Sequence, residues 1–249
     1  MRPTSLQMAA ALAVLATSAR RFASYASNPP PFQPWSPTDP TNMAPCPMLN
    51  ALSNHGVLPR SNISASDLRS ALGALQCDSL IQRILSRDSV MALGHGGLLT
   101  LADLDVHGAI EHDASLTRQD AALGDNTKLD PTLLAAFQAI SSDGKYITKA
   151  ELAAYRLARA ADSKARNPAF RFGAREQVVA YAEAAVLFVA FEDDSGAMRL
   201  DWLEMFFAQE KLPFELGWTL RHISLSRVLL VAGELRSSAF GAEVLAMIA

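Results

Sequence analysis

The feature that most limits how this chain can fold is the recurrence of helix-start signals in a sequence without strand-like alternation. Segments 64–67, 100–103 and 148–151 each pair a Ser or Thr with an acidic residue three positions later, which is capping-box spacing. Asp130 before Pro131 is a further N-cap signal. Ala is the commonest residue and β-branched residues do not alternate with period two, so the pattern predicts one all-α domain. We place helices near 66–76, 78–94, 100–111, 130–141, 149–165, 173–191 and 199–210, with one or two more in 217–247.

Composition narrows the class of partner. The chain has 249 residues, of which 50% are hydrophobic, enough for one domain with a sizeable core. The net charge is −3 and the charges are interspersed, which argues against nucleic-acid binding. No uninterrupted apolar run is long enough to span a membrane. Small molecules are therefore the expected partners. If the chain assembles, a homodimer is the expected form.

The N-terminal segment has the composition of a targeting sequence. Arg2, an apolar run over residues 8–16 and the small residues after it predict a secretory signal peptide at residues 1–26. Arg20 and Arg21 would also suit a mitochondrial presequence. Secretion is the favoured localisation, and a mitochondrial or other intracellular site is the alternative.

A Pro-rich stretch follows the predicted signal. Residues 27–45 predict an extended arm that leads into a helical domain over residues 46–249. Asn62-Ile63-Ser64 is a glycosylation sequon, which agrees with secretion.

Cys46 lies between Pro45 and Pro47, just ahead of an expected helix start. A helix N-terminus offers free backbone N–H groups and positive dipole charge, and both favour thiolate over thiol. The flanking prolines restrict the backbone around the sulfur. From its residues alone, the motif fits either a thiolate ligand or a buried cysteine between turn prolines. Cys77 is expected to be a buried, inert thiol, with a reactive or intermolecularly paired thiol as the alternative.

A polar cluster, Glu111-His112-Asp113-Ala114-Ser115, follows the helix predicted over 100–111. A carboxylate and a hydroxyl four residues apart can present two oxygen ligands to a hard cation such as Mg²⁺. The alternative is a solvated helix end.

Glu183 is the only charged residue in the apolar run from 178 to 191. A carboxylate buried in an apolar helix face is costly unless it is paired or protonated, so the run predicts a raised pKa for Glu183. Such a pKa suits a group that accepts and returns a proton. The alternative is a side chain that reaches solvent or pairs with a cation such as Arg175.

These segments together resemble the fungal haem-thiolate peroxidases, the family of chloroperoxidase and unspecific peroxygenase, in the form of its shorter members. The resemblance covers about residues 40 to 220. Four segments carry it in order: Pro45-Cys46-Pro47 with Leu49 to Pro59; Glu111 to Ser115 with Arg118, Asp120 and Gly124-Asp125; Tyr181 to Ala185; and Phe206 to Pro213 with Gly217-Trp218.

The resemblance implies a single-domain helical chloroperoxidase-like fold with haem b and Mg²⁺ as cofactors. It implies that Cys46 is the axial thiolate of the haem iron, which favours O–O cleavage. Glu183 would be the acid–base, with His112 orienting it and Asp113 supporting the imidazole. The Glu111 carboxylate, the His112 backbone carbonyl and the Ser115 hydroxyl would hold Mg²⁺. The substrate pocket would be lined by Ile110, Val179, Val186 and Leu187.

Three functions agree with these residues. The favoured one is a peroxygenase that uses hydrogen peroxide to insert oxygen into apolar organic substrates, by C–H hydroxylation or epoxidation, through a ferryl-oxo intermediate. The second is a haem peroxidase or haloperoxidase with the same residues. The third is a non-catalytic, secreted haem- or metal-binding protein.

Overall fold

The computed structural model describes residues 32–37 and 42–248, with the backbone alone from residue 240. The predicted signal peptide therefore lies outside the described residues, as does part of the Pro-rich arm. From Gln33 onward the described residues form one compact unit that is mostly helical, which confirms the all-α prediction. Its elements are α1 (Pro47–Asn54), α2 (Ala65–Ala74), α3 (Ser79–Leu85), α4 (Asp88–Met91), a 3₁₀ helix (Ala102–Asp105), α5 (Pro131–Gln138), β1 (Tyr146–Ile147), α6 (Lys149–Arg166), α7 (Ala174–Phe191), β2 (Met198–Arg199), α8 (Leu200–Gln209), a 3₁₀ helix (Phe214–Leu216) and α9 (Leu225–Ile248).

The predicted caps are confirmed where they begin full helices. Ser64 caps α2 and Thr148 caps α6 in reciprocal capping boxes with the acidic residue three positions later. The Asp130 side chain accepts two backbone N–H groups at the start of α5, where Pro131 follows. These helix starts depend on local hydrogen bonds, which explains why the sequence predicts them.

Two predicted helices are wrong in extent. The helix expected over 78–94 is divided into α3 and α4, because Arg87 adopts an extended conformation between them. The helix expected over 100–111 is only one 3₁₀ turn, after which Val106 is extended and Gly108 has a φ of 77°. Thr100 and Asp103 do make the predicted reciprocal bonds, but a cap fixes where a helix begins and not how far it continues.

The packing of the long helices fixes the position of α7. Helix α9 lies against both α6 and α7. The Lys149 ammonium lies 2.6 Å from the Glu234 carboxylate at the α6–α9 contact. At the C-terminal end of α7, Phe191 stacks on Trp218 with ring centroids 5.4 Å apart. None of the helices in the described part of the chain is long and apolar enough to cross a bilayer.

The two short strands form an antiparallel pair that the sequence did not predict. Tyr146 pairs with Arg199 and Ile147 with Met198. The Asp143 carboxylate before β1 accepts the backbone N–H groups of Lys145 and Tyr146, so this segment is a turn before the helix cap of α6. Strands of two residues are too short to produce a recognisable alternation.

Candidate active site

Cys46 is the N-cap residue of α1, and Pro47 occupies the first helical position. The side chain is partly exposed and makes no capping hydrogen bond. Burial raises the pKa of the Cys46 thiol; the backbone amides of Leu49 and Met48 oppose this, but burial dominates. The backbone N–H groups at the helix N-terminus thus favour the thiolate, as expected, but burial has the larger effect in the protein by itself. A metal that binds Cys46 has to displace its proton, as metal binding to a thiol does.

Asn50 fixes the backbone that leads to Cys46. Its side-chain oxygen accepts the Ala44 N–H and its amide donates to the Ala44 carbonyl, both at 2.9 Å. The same amide also donates to the Glu210 carboxylate at 2.7 Å. Ala44 and Asn50 are fully buried, so these bonds are shielded from water.

His112 and Glu183, 71 positions apart in the chain, are in contact. The His112 Nε2 atom lies 3.2 Å from the Glu183 Oε2 atom. The His112 Nδ1 atom lies 2.7 Å from the Asp113 backbone carbonyl, which only accepts hydrogen bonds, so Nδ1 carries a proton. A neutral ring with that tautomer has no proton on Nε2. The contact therefore needs one shared proton, carried either by an imidazolium or by a protonated Glu183.

The charge environment of His112 favours the imidazolium. Burial of the ring lowers its pKa, but the Glu183 carboxylate and the Asp113 carbonyl outweigh that effect, so the pKa of His112 is raised above its ordinary value. A carboxylate held by a protonated imidazole is a suitable proton acceptor.

Glu183 itself is not buried, contrary to the expectation from its apolar run. Its side chain is 58% exposed. The buried residues of α7, such as Ala184 and Phe188, face its packing partners, whereas Glu183 is among the exposed residues of this helix. The alternative partner Arg175 instead donates to the Gly108 carbonyl at 2.7 Å. The exposed carboxylate is thus accessible to a small molecule while it is held by His112.

Asp113 meets the imidazole through its backbone and not through its carboxylate. The carboxylate is fully buried and its Oδ2 atom accepts the Arg171 N–H at 2.7 Å. Its Oδ1 atom has no hydrogen-bond partner among the described residues. The His107 Nε2 atom lies 4.0 Å from this Oδ1 atom. Support of the imidazole by the Asp113 side chain is therefore not what the structure shows.

The three residues expected to hold Mg²⁺ lie in one loop, from Glu111 to Ser115. The Glu111 carboxylate is buried and accepts a hydrogen bond from His107 Nδ1 at 2.6 Å. The Ser115 carbonyl accepts the Arg159 Nε–H at 2.8 Å. Among the described residues, no group of three or more His, Cys, Asp or Glu side chains is placed to hold a metal ion.

A buried set of charges on α6 anchors this loop, and the sequence did not single it out. Arg156 donates to the Ala114 carbonyl, and the Asp120 carboxylate accepts the Ala114 N–H at 2.8 Å. Ala114 has a φ of 64°, an unusual conformation for a residue with a Cβ atom. Asp120 also accepts from Ser163. The signal that could have revealed this anchor is the i, i+3, i+7 spacing of Arg156, Arg159 and Ser163 on one face of α6.

The expected pocket residues are only partly brought together. Ile110 and Val179 line a cavity of about 10 Å³ beside His112. Val186 and Leu187 lie farther along α7 and do not line it. A cavity of this volume holds at most one water molecule, so the cavity does not define a substrate.

The other candidate side chains are structural. Cys77 is buried, and burial raises its pKa to about 12, as expected for an inert thiol. The His55 ring lies 3.0 Å from the Gln33 carbonyl through Nδ1 and accepts the Leu212 N–H through Nε2 at 3.1 Å. Both ring nitrogens are thus engaged by the backbone, which fits a structural histidine.

The charge of Glu183 acts on the thiol of Cys46, and this interaction is relevant to the haem cofactor. The Glu183 charge contributes to the raised pKa of the Cys46 thiol, and the Arg118 charge opposes it. A cysteine thiol together with a carboxylate–imidazole pair supplies the residue types that suit a haem with a thiolate ligand.

Comparison with known proteins agrees with this assignment. Residues 31–223 match the family described as "Peroxidase, family 2". The aromatic peroxygenase of Cyclocybe aegerita is 33% identical over 211 residues, which cover 72% of this chain and 56% of that protein. The aromatic peroxygenase of Coprinellus radians is 27% identical over 209 residues, covering 72% of this chain and 80% of that protein.

A third relative carries a different name. The chloroperoxidase of Leptoxyphium fumago is 27% identical over 221 residues, covering 78% of this chain and 58% of that protein. The matched region therefore spans little more than half the length of two of the three relatives. Because the family match extends over most of the sequence, the chain belongs to peroxidase family 2, the haem-thiolate peroxidases that its motifs resemble.

Proposed function

We propose that this chain is a peroxygenase that uses hydrogen peroxide to oxygenate small apolar organic molecules with a haem-thiolate centre. The observation that carries the proposal is the contact between His112 and Glu183. The Glu183 charge also contributes to the raised pKa of the Cys46 thiol. Family membership implies the haem, and two relatives are named as aromatic peroxygenases.

Cys46 is the proposed ligand of the haem iron. When bound, haem b with a thiolate ligand supplies an electron-rich iron that favours cleavage of the peroxide O–O bond. The contribution of the chain is to hold the sulfur in one place, which the bonds between Asn50 and Ala44 support.

Glu183 is the proposed acid–base. Its ionised Oε2 atom accepts a proton from one oxygen of hydrogen peroxide and returns it to the other oxygen as that oxygen leaves as water. His112 positions the carboxylate through the 3.2 Å contact. Asp113 fixes the ring through its backbone carbonyl.

Mg²⁺ is a further part of the proposal, with the Glu111 carboxylate, the His112 carbonyl and the Ser115 hydroxyl as ligands. A buried carboxylate supports it, but Glu111 would have to exchange His107 for the ion. Metal analysis of the purified protein tests this point. One equivalent of Mg²⁺ that is lost in Glu111→Gln agrees with the site, and metal content that is the same in both proteins contradicts it.

Ile110 and Val179, which line the cavity beside His112, support an apolar substrate. Val186 and Leu187 are included because they follow Glu183 by three and four positions on α7. The second function is a peroxidase or haloperoxidase, which the name of the third relative favours. Secretion, with residues 1–26 as the signal, and a homodimer complete the proposal on grounds of sequence alone.

Product analysis with ¹⁸O-labelled hydrogen peroxide separates these functions. We expect label in the hydroxylated product of an apolar aromatic or alkane substrate. Products of radical coupling or halogenation without incorporated label would support the second function instead. Absence of any peroxide-dependent product in haem-loaded protein would support the non-catalytic alternative.

A further inference from the structure

Glu210 ends α8 in a conformation that rarely suits its residue type. Its φ of 47° and ψ of 51° lie in the left-handed region, which helix ends usually fill with Gly or Asn. The side chain is only 13% exposed, and burial raises the pKa of its carboxyl group. Both features are unfavourable in themselves, so the contacts of Glu210 have to offset them.

Those contacts join three distant parts of the chain. The Glu210 Oε1 atom accepts from the Arg118 guanidinium and from the Asn50 amide, each at 2.7 Å. The Glu210 backbone carbonyl accepts the Asn54 amide at 3.0 Å. One residue therefore binds two positions one turn apart on α1 and a buried arginine.

One of the side-chain partners, Asn50, fixes the backbone that leads to Cys46. Asn50 binds the N–H and the carbonyl of Ala44, two residues before Cys46, so its orientation sets the path of that backbone. The Arg118 side chain is only 5% exposed and donates to the Glu210 carboxylate at 2.7 Å, which holds Glu210 in place beside Asn50. Neither bond involves His112 or Glu183.

We propose that Glu210 is a positioning residue for the thiolate ligand, which fixes the Ala44–Cys46 segment through Asn50 and is itself held in place by the Arg118 guanidinium. This inference rests on the proposed function, because it concerns how Cys46 holds the haem iron. It predicts that loss of Glu210 weakens the iron–sulfur bond without disturbing the contact between His112 and Glu183.

The test compares Glu210→Gly with Gln76→Gly in the haem-loaded protein. Gln76 also has a positive φ, 59°, and lies outside this network, so its replacement by Gly relieves the same kind of backbone strain. Two readouts are taken: the Soret band of the ferrous–CO adduct and the rate of haem transfer to apomyoglobin. We expect Glu210→Gly to convert part of the red-shifted band to the unshifted form and to lose haem about tenfold faster, as loss of a charged hydrogen bond predicts.

The matched variants separate positioning from a structural role. Gln76→Gly should keep the wild-type band and rate, and Glu183→Gln should keep the band although it acts on the peroxide step. If Glu210→Gly does not fold, Glu210→Gln carries the test, with a smaller change in the same direction because one acceptor oxygen remains.

A Glu210 variant that folds with the wild-type band and rate overturns the inference while leaving the proposed function in place. A wild-type protein without the red-shifted band overturns both.

Discussion

The two sides of the candidate site are built differently. On the Cys46 side, buried side chains fix the backbone: Asn50 binds both polar groups of Ala44 and is itself bound by Glu210. On the other side, the Glu183 carboxylate is 58% exposed, and its described contact is the 3.2 Å approach to His112. The backbone that leads to Cys46 is held by buried hydrogen bonds, whereas the Glu183 carboxylate is accessible to solvent.

This difference matches the two proposed tasks. A metal ligand has to keep one position, and buried hydrogen bonds provide that. An acid–base has to meet its substrate and exchange protons, which requires access. The loop from Glu111 to Ser115, which contains His112, is nevertheless anchored, because Asp120 and Arg156 bind the backbone of Ala114. Changes to Glu183 should therefore affect chemistry, and changes to the anchors should affect stability.

The largest expected effect is that of Glu183→Gln on peroxide turnover. Loss of the acid–base should lower kcat by about 10²–10⁴-fold. Because the side chain is exposed, the free energy of unfolding should change by no more than about 0.5 kcal/mol. Steady-state kinetics and urea unfolding of the same preparation measure both. The exposed Glu204 on α8 provides the control, since Glu204→Gln removes one charge without either effect. Similar turnover in the two variants would contradict the role of Glu183.

Asp120→Ala should produce the largest loss of stability. The Asp120 carboxylate accepts from the Ala114 N–H, the Ser163 hydroxyl and the Asn167 amide, and its removal leaves buried donors without a partner. We expect a loss of about 3 kcal/mol in the free energy of unfolding. Asp194→Ala removes a surface partner of Arg221 and should have a far smaller effect on the free energy of unfolding. Equal midpoints of urea unfolding for these variants would show that the loop is not anchored through Asp120.

A smaller effect concerns the second cysteine. The pKa of Cys77 is raised to about 12, so at pH 8 only roughly 10⁻⁴ of the thiol is ionised. In the Cys46→Ala protein, iodoacetamide should label Cys77 at least about 100-fold more slowly in the native state than in urea. Mass spectrometry at timed intervals measures the rates. Rapid labelling of the native protein would favour the alternative of a reactive Cys77 thiol.

The smallest expected effect is a loss of stability at the start of α2, which is remote from both sides of the site. Hydrogen bonds from Ser64 lower the pKa of Asp67, so its contribution to stability is present above the unfolded pKa, near 3.9, and is lost as the pH falls through the folded pKa. Asp67→Asn should cost about 0.5–1 kcal/mol at pH 7 and nothing at low pH. Urea unfolding at several pH values measures this. A cost that does not depend on pH would contradict the capping role.

Local interactions explain how much of the fold was predictable. The caps at Ser64, Asp130 and Thr148 involve residues three positions apart or fewer, and the helices begin where they indicate. The same kind of signal at Thr100 led to a helix that does not continue, because Gly108 and the extended Val106 follow. Helix length depends on packing and on backbone breaks, which a cap does not report.

The site was predictable only in part, for a related reason. Sequence resemblance paired His112 with Glu183, and the two side chains are in contact. The exposure of Glu183 was missed, because an apolar run gives the composition of a helix and not which face is covered. Glu210 lies in the segment from Phe206 to Pro213, which contributes to the family resemblance, but the sequence predicts no role for it. Its partner Asn50 lies 160 positions away, and no local pattern encodes that contact.

The central claim is that Cys46 binds haem iron as a thiolate, and the ferrous–CO spectrum of the haem-loaded protein tests it most directly. We expect the wild-type protein to show the red-shifted Soret band of thiolate-ligated haem, and Cys46→Ala to lose it. An unshifted band in the wild-type protein, or a red-shifted band that persists in Cys46→Ala, would contradict the claim.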